Sequence, residues 1–344
     1  MNFFLNILCV AAYQEVLHSN HIVTIPLRKI VQTTEEKQEI YAFLMNFQSS
    51  MFSSNMLETM NGKLRLKNFS NSQYVGRVGV GTPPQYLDVI FDTGSANFWI
   101  NSKLCNDLAC ETHDAYDSLL SNSYEKLGYV ISVEFGTGEI RGEINYETIT
   151  VAGISLQRQS FGEITDEIGE VFVQGKFSGI LGLAFPTMAA FNFDPIFDSM
   201  MSHHSLDNNL FTFYYSENES SEVAFGGIDY SKFEGEILWN EVIEEYYWVI
   251  IIDDIKIGGK SLGLCPNGCK AAVDTGTSFL TAPPEEMKVL AKEFDLNCEN
   301  TDLLPNLVFQ INGKDFSVSG KDIVFKGPNT CTLAIMPLKV PKPL

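Results

Sequence analysis

The heptapeptide Val-Ile-Phe-Asp-Thr-Gly-Ser at residues 89–95 recurs as Ala-Ala-Val-Asp-Thr-Gly-Thr at residues 271–277. In both copies an apolar run ends in Asp-Thr-Gly, and a residue with a small hydroxyl side chain follows. Asp92 lies in the first half of the 344-residue chain and Asp274 in the second. The repeat predicts two related lobes, each of which contributes one carboxylate to a shared site.

Two carboxylates held about 3 Å apart cannot both ionise without strong repulsion, so such a pair retains one proton. The ionised carboxylate can take a proton from a water molecule, while the protonated one donates to the carbonyl group that the water attacks. This hydrolysis needs neither a metal ion nor a covalent intermediate. Asp92 and Asp274 are therefore the candidate catalytic residues, and no cofactor or metal is expected.

The residues around the two aspartates suit such a site. Gly94 and Gly276 let the backbone approach the carboxylates closely. Ser95 and Thr277 can donate hydrogen bonds to the outer carboxylate oxygens, and the threonine of each Asp-Thr-Gly can hold one loop against the other. The alternative is a pair of ordinary turns, because Asp and Gly both favour turns. Two copies in matching apolar contexts argue against that interpretation.

Further segments carry a family resemblance, at residues 73–76, 80–85, 98–100, 177–184, 225–229 and 247–248. Together with the Asp-Thr-Gly copies they make the chain resemble the pepsin-type aspartic proteases, and the match runs from about residue 64 to residue 337. The resemblance implies an all-β, two-lobed fold with few short helices, with lobes at residues 66–235 and 236–344. It also implies an endopeptidase that is made as a zymogen and acts on peptide or protein substrates as a monomer.

The resemblance also implies which residues lie near the substrate. A flap hairpin at residues 133–138 would close over the cleft, and apolar side chains would flank the cut bond. The implied substrate-binding residues are Ile90, Gly94, Ser95, Phe135, Gly136, Thr137, Phe161, Ile180, Gly276 and Thr277.

The flap departs from the common family pattern at Phe135, where most members carry a tyrosine. The tyrosine hydroxyl normally reaches the indole N–H of the residue that matches Trp99, and phenylalanine cannot make that bond. A phenylalanine flap is similar to the plasmepsin-like branch of apicomplexan proteases, and the Ile-Met-Pro at residues 335–337 is similar to the same branch. The alternative is a tolerated substitution in an ordinary hairpin.

Six of the seven cysteines fall into close or candidate pairs, whereas Cys9 lies in the apolar N-terminal stretch. Short cysteine loops form either disulfides or metal clips, and a metal is the weaker interpretation because no histidine or second close pair lies nearby. The resemblance implies disulfides, which indicate an oxidising compartment. The implied pairs are Cys105–Cys110, Cys265–Cys269 and Cys298–Cys331.

The charge and the N-terminal region indicate where the protein works. A formal charge of −20 and a pI of about 4.6 argue against nucleic-acid binding and suit an acidic compartment, although ordinary solubilising surface charge is the alternative. Residues 1–12 resemble a signal peptide, and no apolar run is long enough to cross a membrane. These features predict the secretory pathway, either secretion or an acidic endomembrane compartment or secretory organelle.

Residues 13–65 are expected to form a propeptide. Residues 22–29 alternate like a strand and then turn basic, and residues 35–60 suggest helices because they lack proline and glycine. Lys63, Arg65 and Lys67 are candidates to pair with the catalytic aspartates. A plain N-terminal extension is the alternative. Farther along, short helices are predicted over residues 194–202 and 283–294.

The family pattern continues after the last cysteine with roughly forty residues that hold a strand beneath the second aspartate loop, whereas this sequence ends at Leu344. We therefore expect an incomplete second lobe, and residues 1–344 alone are expected to be inactive and poorly soluble. Truncation of the sequence is favoured over a degenerate member of the family, because the catalytic pattern before this point is intact.

Three other functions compete with an active protease. The first is a catalytically inactive binding protein or inhibitor on the same fold, which the altered flap and the missing tail favour and the intact loops oppose. A homodimeric retroviral-type protease is opposed because one chain holds both loops. A secreted lectin-like or adhesion module would not need paired Asp-Thr-Gly loops.

Overall fold

A computed structural model describes residues 22–30, 73–135, 138–169, 172–173, 175–216, 220–294, 296, 298–326 and 331–338. Strands dominate this part of the chain and the helices are short, as the sequence predicts. The expected signal peptide, the helices over residues 35–60, the basic residues at 63, 65 and 67, and the flap residues 136 and 137 lie outside the described residues.

The first aspartate loop belongs to a ten-stranded sheet, ordered β5-β6-β7-β4-β8-β3-β2-β1-β10-β9, with an additional pairing of β6 with β2. Its strands are β1 (Val23–Lys29), β2 (Tyr74–Val80), β3 (Gln85–Asp92), β4 (Phe98–Asn101), β5 (Glu125–Phe135), β6 (Gly138–Val151), β7 (Ile154–Ile168), β8 (Gly179–Gly182), β9 (Phe211–Tyr214) and β10 (Ser221–Phe225).

The second half forms four smaller sheets, ordered β11-β12-β15, β14-β13-β17-β18, β16-β21 and β19-β20. Their strands are β11 (Glu244–Glu245), β12 (Trp248–Ile252), β13 (Asp254–Ile257), β14 (Lys260–Ser261), β15 (Cys269–Ala272), β16 (Leu280–Ala282), β17 (Leu307–Ile311), β18 (Lys314–Val318), β19 (Val324–Lys326), β20 (Cys331–Leu333) and β21 (Ile335–Pro337).

Within the described residues, three short α-helices and several 3₁₀ turns connect the strands. The α-helices are α1 (Leu108–Glu111), α2 (Ile196–Ser202) and α3 (Pro284–Glu293), and the 3₁₀ turns are Ser118–Leu120, Pro186–Met188, Ala190–Asn192, Thr301–Leu303 and Gly320–Ile323. Helices α2 and α3 confirm the two predicted over residues 194–202 and 283–294. Met287 and Leu290 of α3 are buried, together with Phe294 just beyond it, because this spacing places them on one face.

The predicted strand at residues 22–29 is confirmed as β1. It pairs antiparallel with β10 through residues 23–27 and with β2 through residues 28–29, so it lies between them in the large sheet. Its alternating side chains Ile25 and Leu27 are 3% and 5% exposed. Because these two side chains are buried in the first-lobe core, β1 contributes to the packing of the sheet that positions Asp92.

Three large apolar clusters, besides a small one of alanines, lie in the described part of the chain. The largest fills the first lobe and includes Phe91, Phe211 and Phe225, while a second lies under the β5–β6 hairpin around Trp99. The third packs α3 against the strands of the second half. No described helix is long and apolar enough to cross a membrane.

The described cysteines form three disulfides, which join the pairs that the resemblance implies. They are Cys105–Cys110, Cys265–Cys269 and Cys298–Cys331. The last closes the longest loop, with a sequence separation of 33 residues, and links the segment after α3 to β20.

Candidate active site

Asp92 is the last residue of β3, and a parallel neighbour holds it in place. Strand β8 pairs beside it in the register Ile90↔Ile180 and Asp92↔Gly182. The N–H of Leu183, one residue farther, donates to the carbonyl oxygen of Asp92 at 2.7 Å. The backbone of Asp92 is therefore fixed at the end of a buried strand.

Asp274 follows β15, which pairs antiparallel with β12 up to the register Val249↔Ala272. The N–H of Val273 donates to the carbonyl oxygen of Trp248 at 3.0 Å, which extends the pairing to the residue before Asp274. The second aspartate loop thus begins opposite the first residue of β12.

The threonines of the two Asp-Thr-Gly loops bond each other reciprocally. The N–H of Thr93 donates to the hydroxyl of Thr275 at 3.0 Å, and the N–H of Thr275 donates to the hydroxyl of Thr93 at 2.9 Å. The Thr93 hydroxyl donates to the carbonyl of Val273 at 2.8 Å, and the Thr275 hydroxyl to that of Phe91 at 2.7 Å. Four hydrogen bonds with approximate two-fold symmetry therefore join the two loops beneath the aspartates.

The carboxylate of Asp92 is buried and accepts two hydrogen bonds within its own loop. The Gly94 N–H donates to Oδ1 at 2.8 Å and the Ser95 hydroxyl to Oδ2 at 2.5 Å. Burial and then the negative charge of Asp274 raise its pKa from 3.8 to about 7, although these two bonds act in the opposite direction. Asp92 therefore holds a proton below neutral pH.

The loop of Asp274 repeats this arrangement, with Gly276 and Thr277 donating to its two oxygens at 2.8 and 2.5 Å. Each glycine also lies against the carboxylate of the other loop. A Cβ atom added to Gly94 would be 2.6 Å from the Asp274 carboxylate, and one added to Gly276 would be 2.2 Å from Oδ1 of Asp92. The two carboxyl groups therefore lie within hydrogen-bonding reach of each other.

Tyr247 also lies close to the two aspartates. Burial raises the pKa of its phenol, and the charges of Tyr246, Asp274 and Asp92 raise it further in that order. In the sequence this tyrosine stands out only as part of a family motif at residues 247–248. Nothing in its local sequence indicates that it lies beside both carboxylates.

Ile90 and Ile180 lie together in an apolar cluster under the hairpin formed by β5 and β6. Ile90 is buried and Ile180 is half-buried. The ring of Trp99 lies in the same cluster, edge-on to Phe172 and Phe177 at centroid distances of 6.1 and 6.3 Å. This cluster forms an apolar base beside the Asp92 strand.

The structure corrects the expectation for Phe161. Its side chain is 1% exposed in the first-lobe core, edge-on to Tyr116 at 5.6 Å. It points into the sheet interior because side chains alternate along β7, so a bound peptide has no access to it. Phe135 ends β5 and pairs with Gly138 across the described ends of the hairpin.

Comparisons with known proteins agree with this geometry. A family model described as eukaryotic aspartyl protease matches residues 73–343. Cathepsin D of Clupea harengus is 33% identical over 353 residues, covering 94% of this chain and 88% of that protein. Cathepsin D of Bos taurus is 36% identical over 307 residues (81% and 78%), and gastricsin of Callithrix jacchus is 33% identical over 332 residues (92% and 86%).

A mostly β fold in which two Asp-Thr-Gly loops meet defines the class of pepsin-like aspartic proteases. The chain belongs to the eukaryotic aspartyl protease family and is an aspartic-type endopeptidase. The resemblance noted in the sequence is thereby confirmed at the level of the family. Placement in the plasmepsin-like branch stays a prediction.

Proposed function

We propose that Asp92 and Asp274 are the catalytic pair, which hydrolyses peptide bonds by activating a water molecule. The observation that carries this proposal is the mutual approach of the two loops, in which each glycine lies against the carboxylate of the other. With one shared proton, the ionised carboxylate takes a proton from the water, and the protonated one donates to the carbonyl oxygen of the substrate. The proton then passes to the leaving amine.

The substrate is a peptide with apolar side chains next to the cut bond. Ile90 and Ile180 support this assignment, because they belong to an apolar cluster beside the Asp92 strand. Phe135, Gly136 and Thr137 close over the peptide, since in the sequence they join the end of β5 to the start of β6, and backbone groups of such a hairpin can pair with an extended chain. Gly94, Ser95, Gly276 and Thr277 border the bound peptide.

The enzyme is made as a zymogen in the secretory pathway and acts as a monomer. Residues 13–65 form the propeptide, and β1 is its described strand. Three disulfides support an oxidising compartment. The lobes extend over residues 66–235 and 236–344.

The proposal is tested with purified, acid-processed full-length protein, not with residues 1–344 alone, and a peptide that carries apolar residues at its cleavage site. Asp92→Asn and Asp274→Asn should each reduce kcat at least about 10³-fold, because either change destroys the shared-proton pair. The exposed Asp302→Asn is the matched control and should keep wild-type activity. A peptide analogue with a statine hydroxyl should inhibit competitively, since its hydroxyl can lie between the carboxyl groups.

Other outcomes would identify the alternatives. Substantial turnover by either asparagine variant would refute the paired mechanism. Peptide binding without cleavage by the processed wild-type protein would instead favour the inactive binding protein.

A further inference from the structure

Trp248 makes hydrogen bonds toward both aspartate loops at once. Its carbonyl oxygen accepts from the N–H of Val273, the residue before Asp274, at 3.0 Å. Its indole N–H donates to the carbonyl oxygen of Leu183 at 2.8 Å. The N–H of Leu183 in turn donates to the carbonyl oxygen of Asp92 at 2.7 Å. A single residue therefore connects the backbones that carry the two carboxylates.

The ring of Trp248 is held from the side of the first lobe. Trp248 starts β12, in the sheet that carries Asp274, but its ring lies 4.3 Å from that of Phe185 and 5.5 Å from that of Phe211. Both phenylalanines are buried. Because this packing fixes the plane of the indole, its N–H points in one direction, where it meets the carbonyl oxygen of Leu183.

This connection differs from the bonds between the two threonine residues. The threonine bonds join the two Asp-Thr-Gly loops directly. The bond from Trp248 reaches Leu183, the residue after β8, whose N–H is bonded to the carbonyl oxygen of Asp92, so it constrains the Asp92 backbone at a second place. Another bond near this boundary, from the hydroxyl of Thr187 to the carbonyl of Glu245, involves neither Asp92 nor its strand.

We propose that Trp248 is a positioning residue, whose indole N–H sets the separation of the Asp92 and Asp274 carboxyl groups. The inference rests on the proposed function, because the separation matters only if the pair shares a proton. The hydrogen bonds of Trp248 go to backbone groups and not to the carboxyl groups. It acts through Leu183 on one side and Val273 on the other.

Loss of the bond from Trp248 to Leu183 should change the pH dependence of kcat in a specific way. Among the described residues, the charge of Asp274 acts on Asp92, and the charges of both aspartates act on the phenol of Tyr247. Wider separation weakens the repulsion between the carboxylates, so the pKa of Asp92 falls and the basic limb of the kcat profile moves to lower pH. A defect that only lowers stability would reduce the amount of active enzyme without moving that limb.

The test compares two substitutions at position 248 with a matched control. Trp248→Phe removes the N–H, and benzothienylalanine introduced at 248 by nonsense suppression removes it while keeping the ring size. Trp239→Phe is the control, since Trp239 is an exposed tryptophan that is 44% accessible. Active-site titration with the statine peptide normalises kcat to folded enzyme.

Both variants at position 248 should lower kcat roughly 10- to 100-fold, as expected for small misplacement of catalytic groups. Their basic limb should shift to lower pH, whereas Trp239→Phe should keep the wild-type kcat and profile. A folded benzothienylalanine variant with wild-type kcat and an unmoved basic limb would overturn the inference. If that variant kept wild-type activity while Asp92→Asn was inactive, the inference about Trp248 would fail and the proposed function would stand. Failure of the inference is therefore distinguishable from failure of the proposed function.

Discussion

Thr93 and Thr275 each donate a backbone N–H to the hydroxyl of the other, at 3.0 and 2.9 Å, across the boundary between the two loops. Each hydroxyl also donates to a carbonyl on the opposite side. The hydroxyl group of either threonine is therefore both a donor and an acceptor in the same contact. Threonine is the β-branched residue whose side chain can both donate and accept a hydrogen bond.

Replacing either threonine by valine should weaken both folding and catalysis. Thr93→Val keeps the shape but leaves the N–H of Thr275 and the carbonyl of Val273 without these partners in a partly buried place, which costs about 1–2 kcal/mol. The Asp loops should also lose alignment, with kcat reduced about 10²-fold. Thermal unfolding and kcat of Thr93→Val, with Thr93→Ser as the control that keeps the hydroxyl, measure both effects. Equal loss in the serine variant would show that the methyl group, not the hydrogen bonds, is responsible.

The rate should depend on pH through the aspartate pair. Burial and then the negative charge of Asp274 raise the pKa of Asp92 to about 7. As pH rises through this value the second carboxyl ionises, no proton remains to donate to the substrate carbonyl, and kcat/KM should fall about tenfold per pH unit. Initial rates measured from about pH 3 to about pH 8.5 with one peptide provide the profile. A rate that stays constant to the alkaline end of this range would contradict the assignment.

The local pattern predicted the two aspartate loops well, because the residues that hold each carboxylate are only two or three positions away in the chain. The strand β1 and helix α3 were also predictable, since their alternation or periodicity is local. The bond from Trp248 to Leu183 was not predictable, because the two residues are 65 positions apart in the chain and only the fold brings them together. The family position of Phe161 predicted that it lies near the substrate. Because side chains alternate along β7, its side chain instead lies in the core.

The disulfide Cys298–Cys331 should contribute more to stability than the shorter ones. It closes a loop with a separation of 33 residues, against 4 for Cys265–Cys269. Chain entropy predicts losses of about 3–4 kcal/mol and about 2 kcal/mol when each pair is replaced by serine. Denaturant unfolding of the two double variants tests this order. Free thiols at all six positions in folded protein, detected by mapping under non-reducing conditions, would contradict both the pairing and the oxidising compartment.

Glu167 is a buried carboxyl group near the far end of β7, paired with Ile140 of the flap hairpin. It is 5% exposed, and its N–H donates to Oδ2 of Asp107 at 2.8 Å. Burial raises its pKa from 4.5 to about 8; the charge of Asp107 adds to this, and a bond from Asn101 opposes it. The raised pKa was not predictable from the sequence, because the groups around this carboxyl come from distant parts of the chain.

The raised pKa of Glu167 makes the folded protein less stable as pH rises. Its contribution is complete below the unfolded pKa of about 4.5, and it is lost progressively as pH approaches the folded value of about 8, with a total of about 5 kcal/mol at most. Asp92 and Asp198 also have pKa values raised by burial, to about 7 and about 6, so the loss between about pH 7 and about pH 8 belongs mainly to Glu167.

Glu167→Gln should therefore flatten the pH dependence of stability above about pH 7. Glutamine keeps the size and cannot ionise, so the folded variant avoids the cost of a buried charge. The free energy of unfolding, measured by denaturant titration from about pH 5 to about pH 8.5, should fall less steeply in this variant than in wild type. Glu111→Gln, an exposed glutamate at the end of the neighbouring helix α1, is the control and should reproduce the wild-type slope. If Glu167→Gln and wild type lose stability in parallel over the alkaline part of this range, Glu167 does not hold its proton in the folded state.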